Sequence, residues 1–296
     1  MTDLTDTTRF AFGPVAALSR LLPGVRVQLA HAVVGTTDQY FLDPSLRAAI
    51  DGKAVAKVQQ RLDALVAELR ALGVDASGAI EVGSPYNVVF QLAEHFGADL
   101  IVVPTRHQHS VVRRISHSVT ARAIRAHALP VMTVSQHLGA RSGDFGTFRT
   151  VLHPVDFGAG QVAATRAAED FAASTGATLR AVHILRRFDV DSMLDDDEAA
   201  RAAALAGLEW AQTTAEERLA DVVLQIKRVR AASLVLQAET AGEGIVQYAR
   251  EIGADCIVLP ALGRDKVRTQ LMGSTAEYVI GHAPCPVLFH DGALDR

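Results

Sequence analysis

The chain carries the same message twice. Without a gap, Gly97, Ala98, Asp99, Ile101, Val102 and Pro104 return 156 residues later as Gly253, Ala254, Asp255, Ile257, Val258 and Pro260. Val111, Ser118, Ile124, Pro130 and Val131 return at the same spacing as Val267, Ser274, Ile280, Pro286 and Val287. A shift that survives an apolar run, a loop and a helical pattern marks two copies of one plan. It predicts a first domain over residues 1–135, a linker over 136–147 with Gly139, Gly143 and Gly146, and a second domain over 148–296. Each copy is long enough to bury a core without disulfides or metals.

The second copy reads more clearly. Val151 to Val155 is a short apolar run ending in Asp156, followed by a glycine-containing turn and an Ala-rich helix over 161–174. Further strands are expected at 179–185, 233–237, 256–259 and 287–290, with helices between them. On the long helix, Leu205, Leu208, Ala215, Leu219 and Val222 form one stripe, and Trp210 reads as a packing residue. Strands alternating with helices predict right-handed crossovers and a mostly parallel sheet covered on both faces. In the first copy Val55, Val58, Leu62, Leu65, Leu69 and Leu72 repeat the long helix, read as packing on its own sheet. Its start is abnormal. Phe12-Gly13 aligns with Phe157-Gly158, which leaves Thr7 to Ala11 as a polar first strand.

Composition narrows the functions. A net charge of −4 argues against a nucleic-acid surface. Cys256 and Cys285 have no metal or redox spacing and read as buried thiols in a reducing compartment. The acidic start is unlike a signal peptide, and no apolar run approaches the roughly 18 to 20 residues of a membrane span. These features predict a cytoplasmic protein. G-x4-G-K-[ST], G-x-S-x-G and H-E-x-x-H are all missing from the sequence, so no enzyme is expected.

The stretch from Ile257 to Phe289 resembles the universal stress protein family, tandem type. Single-copy members carry a G-x2-G-x9-G-[ST] loop that binds ATP phosphates; this chain has Pro260-Ala261-Leu262-Gly263, nine residues, then Gly273-Ser274. His282-Ala283-Pro284-Cys285-Pro286-Val287 is similar to the family's lead into its fifth strand. The resemblance implies two tandem, doubly wound, five-stranded α/β domains of Rossmann-like HUP type, strand order 3-2-1-4-5. It also implies a stress-response role with ATP, carried with Mg2+, as the ligand. Asp156 would then contact the adenosine, the backbone around Val182 and His183 would flank the base, and last strands would pair within the chain as a pseudo-dimer. Association of two chains stays open.

Physical chemistry supports the same loop as an anion cup. Gly273, Ser274 and Thr275 open a helix whose first amides face outward, Gly263 allows close backbone approach, and Arg264 adds charge. Pro260 stands where the family has its first glycine and offers no N–H, which would weaken a phosphate site about ten- to a hundredfold. In the first copy Pro104, His107 and His117 occupy the three glycine positions, and Ala11 stands where Asp156 stands. That copy is expected to be a degenerate, non-binding partner. The competing expectation is a nucleotide-free scaffold for partner proteins.

Other clusters read as structure. His107, His109 and His117 suit a solvated basic loop, and the acids at 195–198 suit a helix start. Gly242-Glu243-Gly244 lacks the third glycine of a dinucleotide fingerprint, and His183 and His282 read as polar tips on half-buried faces.

Overall fold

A central strand of a doubly wound sheet is buried on both faces and must be apolar nearly throughout. The two halves of this chain meet that demand very differently. The computed structural model describes residues 2–34, 44–105, 123–124, 129–138, 145–158, 160–190, 198–260 and 273–290. The chain divides into two units, one holding the described residues through Thr147, the other those from Phe148 onward.

The first unit contains helix α1 (Phe12–Leu21), strand β1 (Arg26–Val33), α2 (Pro44–Ala71), β2 (Asp75–Val82), α3 (Pro85–Phe96), β3 (Ile101–Thr105) and β4 (Val131–Ser135). Strands β1 and β2 pair in parallel, as do β3 and β4, and no described strand of this unit joins the two pairs. The expected first strand over Thr7 to Ala11 is instead a 3-10 helix, Asp6–Ala11. Arg9 explains this. A central strand would drive its guanidinium into the core, at a cost no surface pair could offset. In the 3-10 turn it reaches the surface, where Nε and Nη2 donate to the Glu68 carboxylate at 2.8 and 2.6 Å. This pairing raises the Arg9 pKa and lowers that of Glu68. Thr2 and Thr8 share a hydroxyl hydrogen bond of 2.6 Å, and the Thr2 amide donates to the Ala30 carbonyl of β1 at 2.9 Å.

The second unit runs β5 (Thr150–Pro154), α4 (Gln161–Thr175), β6 (Thr178–Arg186), α5 (Glu198–Gln225), β7 (Ala231–Ala238), α6 (Ala241–Glu251), β8 (Cys256–Pro260), α7 (Ser274–His282) and β9 (Val287–His290). All its pairings are parallel, in the order β7-β6-β5-β8-β9, the 3-2-1-4-5 arrangement expected. Val155, Ala181 and Val235 pack against Ala215, Leu219 and Val222 of α5. A Cβ on Gly244 of α6 would meet Ala238 and Ile184 within 3.0 Å. Ala181 and Ile184 differ by an odd number of positions, so α5 and α6 cover opposite faces. Cys256 and Cys285 are both buried thiols, and burial pushes the Cys256 pKa up.

The long-helix stripes hold in part. Leu62, Leu65 and Leu69 are buried in α2, while Leu72 lies beyond its end and is exposed. On α5 the stripe is buried only at Ala215, Leu219 and Val222; Leu205 is 53% exposed. A helix of 28 residues spans about 42 Å, against about 30 Å for a nine-residue strand, so its first turns outreach the sheet. Trp210 is 71% exposed and is no packing residue. It stands nine positions before Leu219, which is about 180° around the helix.

The repeated Gly-Ala-Asp now has a physical reading. Gly97 and Gly253 both take left-handed φ, +67° and +60°, where the chain leaves a helix for a strand. Their aspartates diverge. Asp255 is buried, and its carboxylate accepts the Arg149 and Thr150 amides at 2.9 and 3.0 Å, clamping the start of the central strand. Asp99 is exposed, and the described residues of its unit include no such strand to clamp. Asp255→Ala is therefore expected to lower stability by about 1–3 kcal/mol, because two part-buried backbone donors lose their acceptor. Asp99→Ala should stay within about 0.5 kcal/mol of wild type. Urea denaturation of the two variants reads the contrast.

Candidate functional site

At the carboxyl edge of the second unit, central strand β5 and its neighbour β8 end side by side. Beyond β5, the Val155 amide still donates to the Val182 carbonyl at 2.8 Å, and then the chain turns sharply. Asp156 is exposed, and its Oδ1 accepts the Gly158 amide at 2.8 Å, an Asx turn that holds the carboxylate at the tip of the strand. A Cβ on Gly158 would come 3.0 Å from that oxygen, so a larger residue would press on the carboxylate.

Between them, Phe157 has φ of +58°. A bulky residue in this region costs about 1–2 kcal/mol and persists only when its surroundings hold it. Three groups do so. The ring rests on the core cluster beneath α5. The His183 imidazole lies 4.5 Å from it, centroid to centroid. The Arg218 guanidinium of α5 sits 4.2 Å over it. His183 is fixed in turn, its Nδ1 2.7 Å from the Val155 carbonyl, a contact only a protonated Nδ1 can make favourably.

Below the turn lies a residue whose function the sequence pattern does not disclose. His153, in the middle of β5, is wholly buried. Its Nδ1 donates to the Val258 carbonyl of β8 at 3.1 Å. Its Nε2 lies 3.2 Å from the Thr165 hydroxyl and accepts from Gln161 Nε2 at 3.0 Å. Gln161 Oε1 accepts the Asp156 amide at 3.3 Å, so one side chain ties the buried imidazole to the exposed turn. Burial lowers the His153 pKa from 6.5 to about 4, against the opposing pull of the Val258 carbonyl and the Asp156 charge. The ring is neutral with its proton on Nδ1.

The other expected site residues are distributed as follows. Val182 is buried in β6, and its carbonyl is taken by the Val155 amide. Pro260 ends β8 opposite His290 of β9. Gly273 is the extended N-cap of α7, with φ −60° and ψ 147°, and Ser274 and Thr275 are its first helical residues. Such a terminus leaves its first amides without intrahelical acceptors. Gly263 and Arg264 lie outside the described residues, as do His107, His109 and His117 and the acids at 195–197. His282 stacks on Tyr278 at 4.1 Å with Nδ1 bonded to the Tyr278 carbonyl, the polar tip expected. Gly242 and Gly244 belong to α6, whose N-cap Thr240 accepts the Glu243 amide at 3.2 Å, a helix start as read. Among the described residues, no cluster of three or more His, Cys, Asp or Glu could hold a metal, and no helix is long and apolar enough to cross a membrane.

This arrangement, an acid at the tip of a central parallel strand whose neighbour β8 precedes a glycine-led helix, is that of a doubly wound, Rossmann-like α/β domain. The sequence profile of the universal stress protein family matches residues 1–135 and again 147–289, and the chain belongs to that family as a tandem member. A universal stress protein from Archaeoglobus fulgidus DSM 4304 is 19% identical, with a TM-score of 0.67 over 100% of this chain and 96% of that one. A protein of unknown function from Pseudomonas aeruginosa PAO1 is 18% identical, with a TM-score of 0.49 over 92% of this chain and 85% of that one. A universal stress protein in complex with cAMP is 18% identical, with a TM-score of 0.33 over 49% of this chain and 98% of that one. No curated protein is similar enough to count as a match.

The buried imidazole sets a pH dependence. The unfolded chain takes up this proton near pH 6.5, the folded one only near pH 4. Its contribution to stability is therefore complete above pH 6.5 and is lost as pH falls towards 4, with a slope of up to about 1.4 kcal/mol per pH unit. The urea midpoint of wild type should fall more steeply across this window than that of His153→Gln, which has no such proton to gain.

Proposed function

We propose that the chain is a regulatory nucleotide-binding protein that takes one adenine nucleotide, ATP with Mg2+, in its second unit. The first unit is a partner that binds none. The observation that carries this reading is the contrast between the two carboxyl edges. In the second unit Asp156 ends a central strand adjacent to β8, whose loop leads to Gly273, Ser274 and Thr275 at the head of α7. In the first, the buried Ala11 ends a 3-10 turn, so the described residues there offer neither the strand tip nor the acid. A helix N-terminus beside a strand tip favours an anionic ligand, and the glycine and arginine at 263 and 264 extend the same chemistry in the sequence. No step of bond making or breaking belongs to this proposal; the nucleotide acts as a signal. The family's cytoplasmic stress role and the pairing of last strands within the chain are parts of the same reading.

Pro260 favours a second reading, a scaffold that recognises partner proteins without nucleotide, because a phosphate approaching the end of β8 meets no N–H there. Equilibrium binding of a labelled ATP analogue separates the two. The expected result is one nucleotide per chain, with affinity reduced about tenfold or more in Gly273→Glu, where a carboxylate displaces the anion. Equal signals from the two proteins would overturn the nucleotide reading, and two nucleotides per chain would overturn the silent first unit. Protein purified without added nucleotide and then denatured should release adenine absorbance if the site is filled in the cell.

A further inference from the structure

Phe157 is the one described non-glycine residue at the carboxyl edge of the second unit with a left-handed backbone. Its ring has two planar partners. His183 occupies one side at 4.5 Å, tilted by 37° and pinned through Nδ1 to the Val155 carbonyl. Arg218 lies 4.2 Å over the ring. The two partners differ in how firmly they are held. His183 is a half-buried strand residue, whereas Arg218 is an exposed side chain with a flexible stem. The ring is thus an anchored π surface covered by a removable cation.

We propose that Phe157 is the stacking platform for the base of the nucleotide, and that Arg218 is the side chain the base displaces. This rests on the reading of the second unit as a nucleotide site and names the contact that would select a planar base. Three features of the structure converge on it. The ring stands one residue from Asp156, whose carboxylate can accept from a base amine or a ribose hydroxyl. It sits on the apolar cluster beneath α5, so a base laid against it would gain contact with a dry surface. The strained turn presents the ring beside the tip of the strand, and an aromatic in that position accepts any base through its π face. A guanidinium over the ring is replaced by another flat, polarisable group, so the base must first displace Arg218 to reach the π face.

The test uses the full chain, with ATP and inorganic tripolyphosphate as separate probes in equilibrium titrations. Phe157→Leu keeps an apolar side chain over the core but removes the ring. It should weaken ATP by about tenfold or more and leave tripolyphosphate unchanged, while Phe157→Tyr keeps ATP near wild type. Arg218→Met, which uncovers the ring without touching the turn, should tighten ATP by a few fold. If wild type binds ATP and Phe157→Leu binds it equally well, the platform is wrong and the nucleotide reading stands. If Phe157→Leu loses both probes alike, the ring is a structural prop, which also overturns the platform. If wild type binds neither probe, both readings fall together.

Discussion

The structure depends on one demand: whatever runs through the middle of a doubly wound sheet is enclosed on both sides. Val151 and Leu152 meet it with apolar side chains, and His153 meets it by satisfying both ring nitrogens internally. The first unit cannot meet it, because Arg9 falls where the middle of the strand would be. The chain there coils into a 3-10 turn and delivers the arginine to Glu68 on the surface. The inequality of the two halves follows. One has a strand tip on which an acid can be mounted, and the other does not.

In the second unit the same demand ties the core to the edge. A polar ring in the central strand is tolerable only if fully bonded, and its partners come from β8 and α4. Gln161 passes that constraint outward to the Asp156 amide, and the Asx turn at Gly158 passes it on to the carboxylate. Phe157 is forced into a left-handed backbone between these fixed points and is compensated by stacking with His183 and Arg218. Among the described residues of the candidate site, the turn is tied to the sheet by hydrogen bonds, while Arg218 lies on the ring as an exposed side chain.

Much of this was legible in the residues. The repeat of Gly-Ala-Asp with its following apolar run announced two copies, and the alternation of strands and helices in the second half matched the sheet order observed. The failures have physical causes. Alignment with the other copy predicts a strand over Thr7 to Ala11, but Arg9 has no place in a core. Tryptophan usually packs, but the phase of Trp210 on α5, opposite Leu219, turns it to solvent. His153 could not be read as part of a network, since its partners Thr165 and Val258 lie 12 and 105 positions away and meet it only in the fold. The left-handed Phe157 was equally hidden, because bulky residues rarely adopt that backbone and composition gives no hint of it.

Asp99 holds a last consequence. It keeps the identity of its twin Asp255 but is exposed, and among the described residues of its unit no strand stands where the one that Asp255 clamps would be. The same side chain is thus a staple in one unit and a surface carboxylate in the other, so identity between two copies is no measure of equal work.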